Sequence, residues 1–88
     1  MKPAIRHSAP TAVGLAAAEL ILNMQREFPG VRLEPCEPVE GEDIHLRAYL
    51  PIRPEERLTA QNQIVEIEWA VQDKYDVQTI IVAIPVTA

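Results

Sequence analysis

Cys36 and His45 are the two side chains of this sequence whose pairing could do chemistry. A thiolate and an imidazole can hold a soft or borderline divalent cation, or the imidazole can lower the thiol pKa. Glu37, Glu40, Glu42 and Asp43 lie between them and would supply carboxylates. Structural zinc, however, takes four ligands in short pairs, and the sequence has neither C-x-x-C nor H-x-x-x-H. A cysteine nucleophile would also need an oxyanion stabiliser and a pocket, which no motif supplies. Cys36 and His45 are therefore the only metal candidates, the expected reading is a cross-strand pair, and no catalytic or cofactor-binding residue and no cofactor are expected.

The other polar clusters read as solvated. Glu40-Gly41-Glu42-Asp43 is a charged turn without the ligand pattern of a calcium loop. Gly14, Gly30 and Gly41 are the only glycines, too few and too scattered for a phosphate-binding loop or a dinucleotide fingerprint. Glu55, Glu56, Glu66, Glu68 and Asp73 spread around one helix and are expected to form its wet face. His7 stands with Lys2 and Arg6 near the start, in what reads as a solvated arm.

The elements that must position these groups follow from periodicity. Residues 1–10, broken by Pro3 and Pro10, read as a mobile N-terminal arm, and 11–88 as a single domain. Val13, Ala17, Leu20, Ile21, Met24 and Phe28 share one arc of a helix over 11–28, capped by Ser8 or Thr11 and stopped by Pro29-Gly30. Residues 31–39 alternate but contain Pro35 and Pro38, which marks an edge strand. A turn at Glu40-Gly41 leads into a strand over 44–50. Centring the hairpin there sets Glu34 opposite Arg47, Arg32 opposite Tyr49 and Cys36 opposite His45 on one face, with Val31/Leu50, Leu33/Ala48 and Pro35/Leu46 on the other. Pro54-Glu55-Glu56 opens a second helix whose inward stripe is Ala60, Ile64, Ile67, Val71 and Tyr75. Residues 77–86 are apolar on both sides and are expected to be the best-buried strand.

The order helix, strand, strand, helix, strand predicts an α+β two-layer sandwich of ferredoxin-like type lacking the first strand. A right-handed crossover sets the last strand parallel to the second, giving a three-stranded mixed sheet with both helices on one face. The run from Asp43 to Leu50, a helix, then Thr79 to Ile84 resembles the cytoplasmic domains of cation diffusion facilitator transporters, which share this element order and dimerise. That resemblance implies a dimer. The family's metal-binding histidines have no counterpart in Leu58-Thr59-Ala60-Gln61, and no transporter segment is expected ahead of the domain.

Both helices carry a second apolar stripe opposite the first: Leu15, Ala18 and Leu22 in one, Leu58, Val65 and Trp69, flanked by Gln61 and Gln72, in the other. A single helical layer leaves these faces in water, where aligned apolar residues are uncommon. Leu15, Leu22, Leu58, Val65 and Trp69 are thus the expected interface, with Trp69 as its anchor. The far sheet face, with Arg32, Glu34, His45, Arg47, Tyr49 and Ile81 or its alternates, is expected to be open.

Composition bounds the function. At 88 residues the core is small, and neighbouring chains can share in stability. A net charge of −5 repels phosphate backbones, and 5% aromatic residues leave few rings for base stacking, so nucleic acid is not an expected partner. The single cysteine and the lack of an export signal or membrane span point to a cytoplasmic protein with no membrane association. The reading that follows is a non-enzymatic protein-interaction or oligomerisation module acting through the outer helix faces. The alternatives are a metal-responsive ferredoxin-like dimer using Cys36 and His45, and a small accessory subunit or enzyme using the open sheet face.

Overall fold

A computed structural model describes residues 10–87. The order is α1 (Pro10–Glu27), β1 (Arg32–Cys36), β2 (Ile44–Leu50), a 3-10 turn (Pro54–Glu56), α2 (Arg57–Tyr75) and β3 (Thr79–Pro85). The sheet order is β1-β2-β3, with β1 antiparallel and β3 parallel to β2, so the chain is an α+β sandwich of the expected type. The arm expected over 1–10 and the Ser8 cap fall almost wholly outside the described residues. Pro10 already belongs to α1, where a proline costs little because first-turn amides have no helical acceptor. Thr11 is likewise inside the helix rather than its cap.

The hairpin register matches the expectation at Arg32↔Tyr49, Leu33↔Ala48, Glu34↔Arg47, Pro35↔Leu46 and Cys36↔His45, but the expected pair Val31/Leu50 lies outside the ladder because β1 begins at Arg32, after the Pro29-Gly30 turn. A turn closed by the Glu42 amide donating to Val39 O at 2.9 Å fixes it. Gly41 there adopts φ 90°, which glycine reaches without the Cβ penalty. Strand β1 stops at Cys36, short of Val39, because Pro38 donates no amide and the chain turns away. Before α2, the Arg53 amide donates to Glu56 Oε1 at 2.8 Å while the Glu56 amide donates to Arg53 O at 2.9 Å, so one carboxylate fastens the entry to the helix.

The core lies between the sheet and the helices: Ala16, Leu20 and Met24 of α1, Ala60, Ile64 and Val71 of α2, Ile44, Leu46, Ala48 and Leu50 of β2, and Val77, Ile81 and Ala83. Val13, Ala17, Ile21 and Phe28 pack around it, as do Ile67 and Tyr75. The helices are antiparallel: Glu19 of α1 accepts from Lys74 Nζ at 3.1 Å and from Tyr75 OH at 2.9 Å at the end of α2, while Arg26 and Glu27 at the end of α1 line a furrow with Gln63 and Glu66 nearer the start of α2.

Strand β3 departs from expectation. It is an edge strand, and only its inward side is buried; Ile80 and Val82 are 38% and 40% exposed on the open face. The best-buried strand is the central β2. The outward side of β3 lies on the sheet face away from the helices, which no other described element covers.

Candidate functional site

The outward faces of the helices are as apolar as their spacing requires. Leu15 and Leu22 on α1 are each 54% exposed, and Leu58 and Trp69 on α2 are 65% and 64% exposed. Ala18 is exposed beside the α1 pair. Val65 is the exception, being half-buried. At about 100° per residue Val65 falls between Leu58 and the row Gln61, Glu68 and Gln72, and that row reaches down to β3.

These residues form two patches rather than one. A groove on α1 is lined by Leu15, Ala18 and Leu22 with Glu19, Arg26 and Lys74. Trp69 lines a separate groove with Ala70, Gln72 and Asp73. Between them runs a polar furrow containing Asn23, Arg26, Gln63 and Glu66. The rims differ in charge: Arg26 and the Lys74–Glu19 ion pair border the α1 patch, leaving it one net positive charge, and Asp73 borders the α2 patch. The Lys74–Glu19 contact holds the Glu19 carboxyl below its ordinary pKa, chiefly through the hydrogen bond from Lys74, with Tyr75 assisting.

The open sheet face carries a polar half and an apolar half. Glu34 Oε1 accepts from Tyr49 OH at 2.9 Å and from Arg47 Nη1 at 3.2 Å, and the Arg32 guanidinium lies 4.1 Å over the Tyr49 ring. The Tyr49 and Arg47 hydrogen bonds hold the Glu34 carboxyl below its usual range. Beside this cluster, His45, Arg47 and Tyr49 face Ile80, Val82 and Ile84 in register. Ile81, named as a candidate for this face, is instead 2% exposed and belongs to the core; its alternates occupy the face. The grooves described above belong to the helical layer, and His45, Arg47 and Tyr49 line none of them.

Cys36 and His45 are cross-strand partners, yet the nearest polar partner of each lies elsewhere. Cys36 Sγ sits 3.7 Å from Glu34 O, and His45 Nδ1 sits 3.2 Å from Glu42 Oε1. The imidazole nitrogen is buried and poorly aligned for a hydrogen bond, and Glu42 Oε1 already accepts the Val39 amide at 3.1 Å. Among the described residues no three Cys, His, Asp or Glu side chains converge as a metal site would require.

Glu68 corrects the wet-face reading of α2. It is only 6% exposed. Its Oε2 accepts from Thr79 Oγ1 at 2.9 Å, and it also accepts the Ile81 backbone amide. Burial pushes its pKa up to about 7 against the opposing pull of these two donors. A carboxylate at an inward helical position, four residues after the core residue Ile64, is the sequence signal for this burial. Gln61 and Gln72 share the arrangement: Gln61 Nε2 donates to Ile81 O at 2.8 Å, Gln61 Oε1 accepts the Ala83 amide at 2.9 Å, and Gln72 Nε2 reaches Thr79 Oγ1 at 3.0 Å.

No family model, curated protein or solved structure matches this chain. The likeness to the transporter domains is therefore one of element order alone, and element order transfers no function. No helix among the described residues is long and apolar enough to cross a membrane.

Proposed function

We propose that this chain is a non-enzymatic, cytoplasmic association module that joins a second copy of itself through the outer faces of α1 and α2. The observation that carries this reading is the exposure of Trp69, at 64%, on a helix face that no described residue covers. Leu15, Leu22 and Leu58 have more than half of their surface still to bury. At roughly 1.5–3 kcal/mol for complete burial of each such side chain, the exposed parts of the four residues offer about 4–7 kcal/mol gross. Association costs about 4–15 kcal/mol, so burial of these side chains offsets only the low end of that cost, and the proposed contact is a weak one that needs high concentration.

The unlike rims favour a second copy as occupant. With Lys74 paired to Glu19, Arg26 is the cation beside Leu15 and Leu22 that complements Asp73 beside Trp69, so the α1 patch of one copy fits the α2 patch of another. Such a head-to-tail contact is heterologous and either closes into a ring or extends.

Light scattering over a wide concentration range tests the proposal. Trp69→Asp should hold the chain at the mass of one copy where the unsubstituted chain grows. An unchanged mass in the variant, with no partner lost in pull-downs, would overturn the proposal. Loss of a foreign partner with no effect on self-association would replace the second copy by that partner.

A further inference from the structure

The free edge of β3 is the most hazardous feature of the fold. Thr79–Pro85 reads TIIVAIP, a β-prone run without a charge, and apart from Pro85 near its end the strand's own sequence has no residue that would blunt an edge. Its neighbour lies on one side only, because the sheet order ends at β3. In a parallel strand alternate residues turn both backbone groups to the same side. Those directed away from β2 belong to Thr79, Ile81 and Ala83, and side chains of α2 meet them. Gln61 bridges two successive outward residues, giving its Nε2 hydrogen to Ile81 O at 2.8 Å and taking the Ala83 amide on Oε1 at 2.9 Å. This is the pattern a neighbouring strand's peptide group would make. Gln72 Nε2 lies 3.3 Å from Thr79 O, and Glu68 binds the Thr79 hydroxyl at 2.9 Å.

We infer that Gln61, Glu68 and Gln72 form a latch in which helix α2 stands in for a fourth strand and closes the edge of β3 to pairing with the β3 edge of a second copy. The second copy is the occupant because the segment is uncharged, so two identical edges meet without repulsion. Ile80 and Val82, 38% and 40% exposed, would also come together across the paired strands. This contact uses the sheet margin, so it is distinct from association through the helix faces and stands or falls independently of it.

The test uses the full chain carrying Leu22→Asp and Trp69→Asp, which silences the helix faces. Into it are placed Gln61→Leu, Glu68→Leu and Gln72→Leu, which keep bulk and remove all three polar groups of the latch. At low concentration, hydrogen exchange followed by NMR should show the Ala83 amide exchanging about tenfold faster, the scale of one lost hydrogen bond, while Leu46 in the central strand is unchanged. At high concentration, light scattering should show a dimer absent from the parent. If the triple variant fails to fold by circular dichroism, Gln61→Leu alone gives the same reading at Ala83. Unchanged exchange at Ala83 overturns the latch. Faster exchange with the mass fixed at one copy also overturns it, because the edge would then be open and still not pair.

Discussion

Replacing Glu68 by glutamine should remove most of the pH dependence that this residue imposes on stability between about pH 4.5 and 7. Glu68 is 6% exposed and faces Thr79 and Ile81 of β3, with Gln61 and Gln72 on its own helix; no Lys or Arg among the described residues pairs with it. Its pKa rises from 4.5 to about 7 on folding. Because the folded pKa is the higher one, the native state holds the proton more tightly. The stabilisation is complete below about pH 4.5, and it is lost as pH rises towards 7 and the buried carboxyl must ionise. At about 1.4 kcal/mol per pKa unit the loss is about 3 kcal/mol, a large share of the stability of a small domain. Urea denaturation of both proteins at intervals from pH 4 to 8.5 isolates this residue, because other carboxyls contribute equally to both curves. The stability of Glu68→Gln relative to the unsubstituted protein should climb by about 3 kcal/mol across that interval and level off above pH 7. A difference that stays flat with pH would show that Glu68 ionises as it does in the unfolded chain, and the burial argument would fail.

Further consequences follow from single contacts. Leu20→Ala empties a fully buried site between α1 and the sheet and should cost about 2–5 kcal/mol in the same urea assay. Gly41→Ala places a Cβ at φ 90° with open space around it, so the cost is backbone strain alone, about 1–2 kcal/mol by thermal or urea unfolding. Tyr49→Phe removes the first of the bonds on Glu34, and the Glu34 carboxyl, followed by carbon NMR, should titrate nearer its ordinary value. Zinc calorimetry should give the same weak heat for the unsubstituted chain and for Cys36→Ala/His45→Ala; strong heat confined to the former would restore the metal reading.

Much of the fold was legible because its determinants are local. The turn at Gly41 and the alternation on either side fix the hairpin register, so every cross-strand pair from Arg32↔Tyr49 to Cys36↔His45 follows from the sequence. The outward exposure of Leu15, Leu22, Leu58 and Trp69 follows from helical spacing in the same way. Lateral position was harder to read. Periodicity places Val65, Gln61 and Gln72 on the side of α2 away from its core stripe, yet whether that side meets water or a strand depends on where β3 docks. Glu68 lies one turn after Ile64, which marks it as inward, yet the Thr79 hydroxyl that partners its carboxylate is known only once β3 has docked. The openness of one face of β3 depends on what else covers the sheet, and the strand's own composition does not record that.

Mixing two defective variants tests the head-to-tail account most directly. Trp69→Asp keeps the α1 patch with Arg26 and Lys74, and Leu22→Asp keeps the α2 patch with Asp73. Each alone should sediment as one copy, and an equal mixture should form a species of twice that mass. A mixture that stays at the mass of one copy, or single variants that assemble like the unsubstituted chain, would contradict the account.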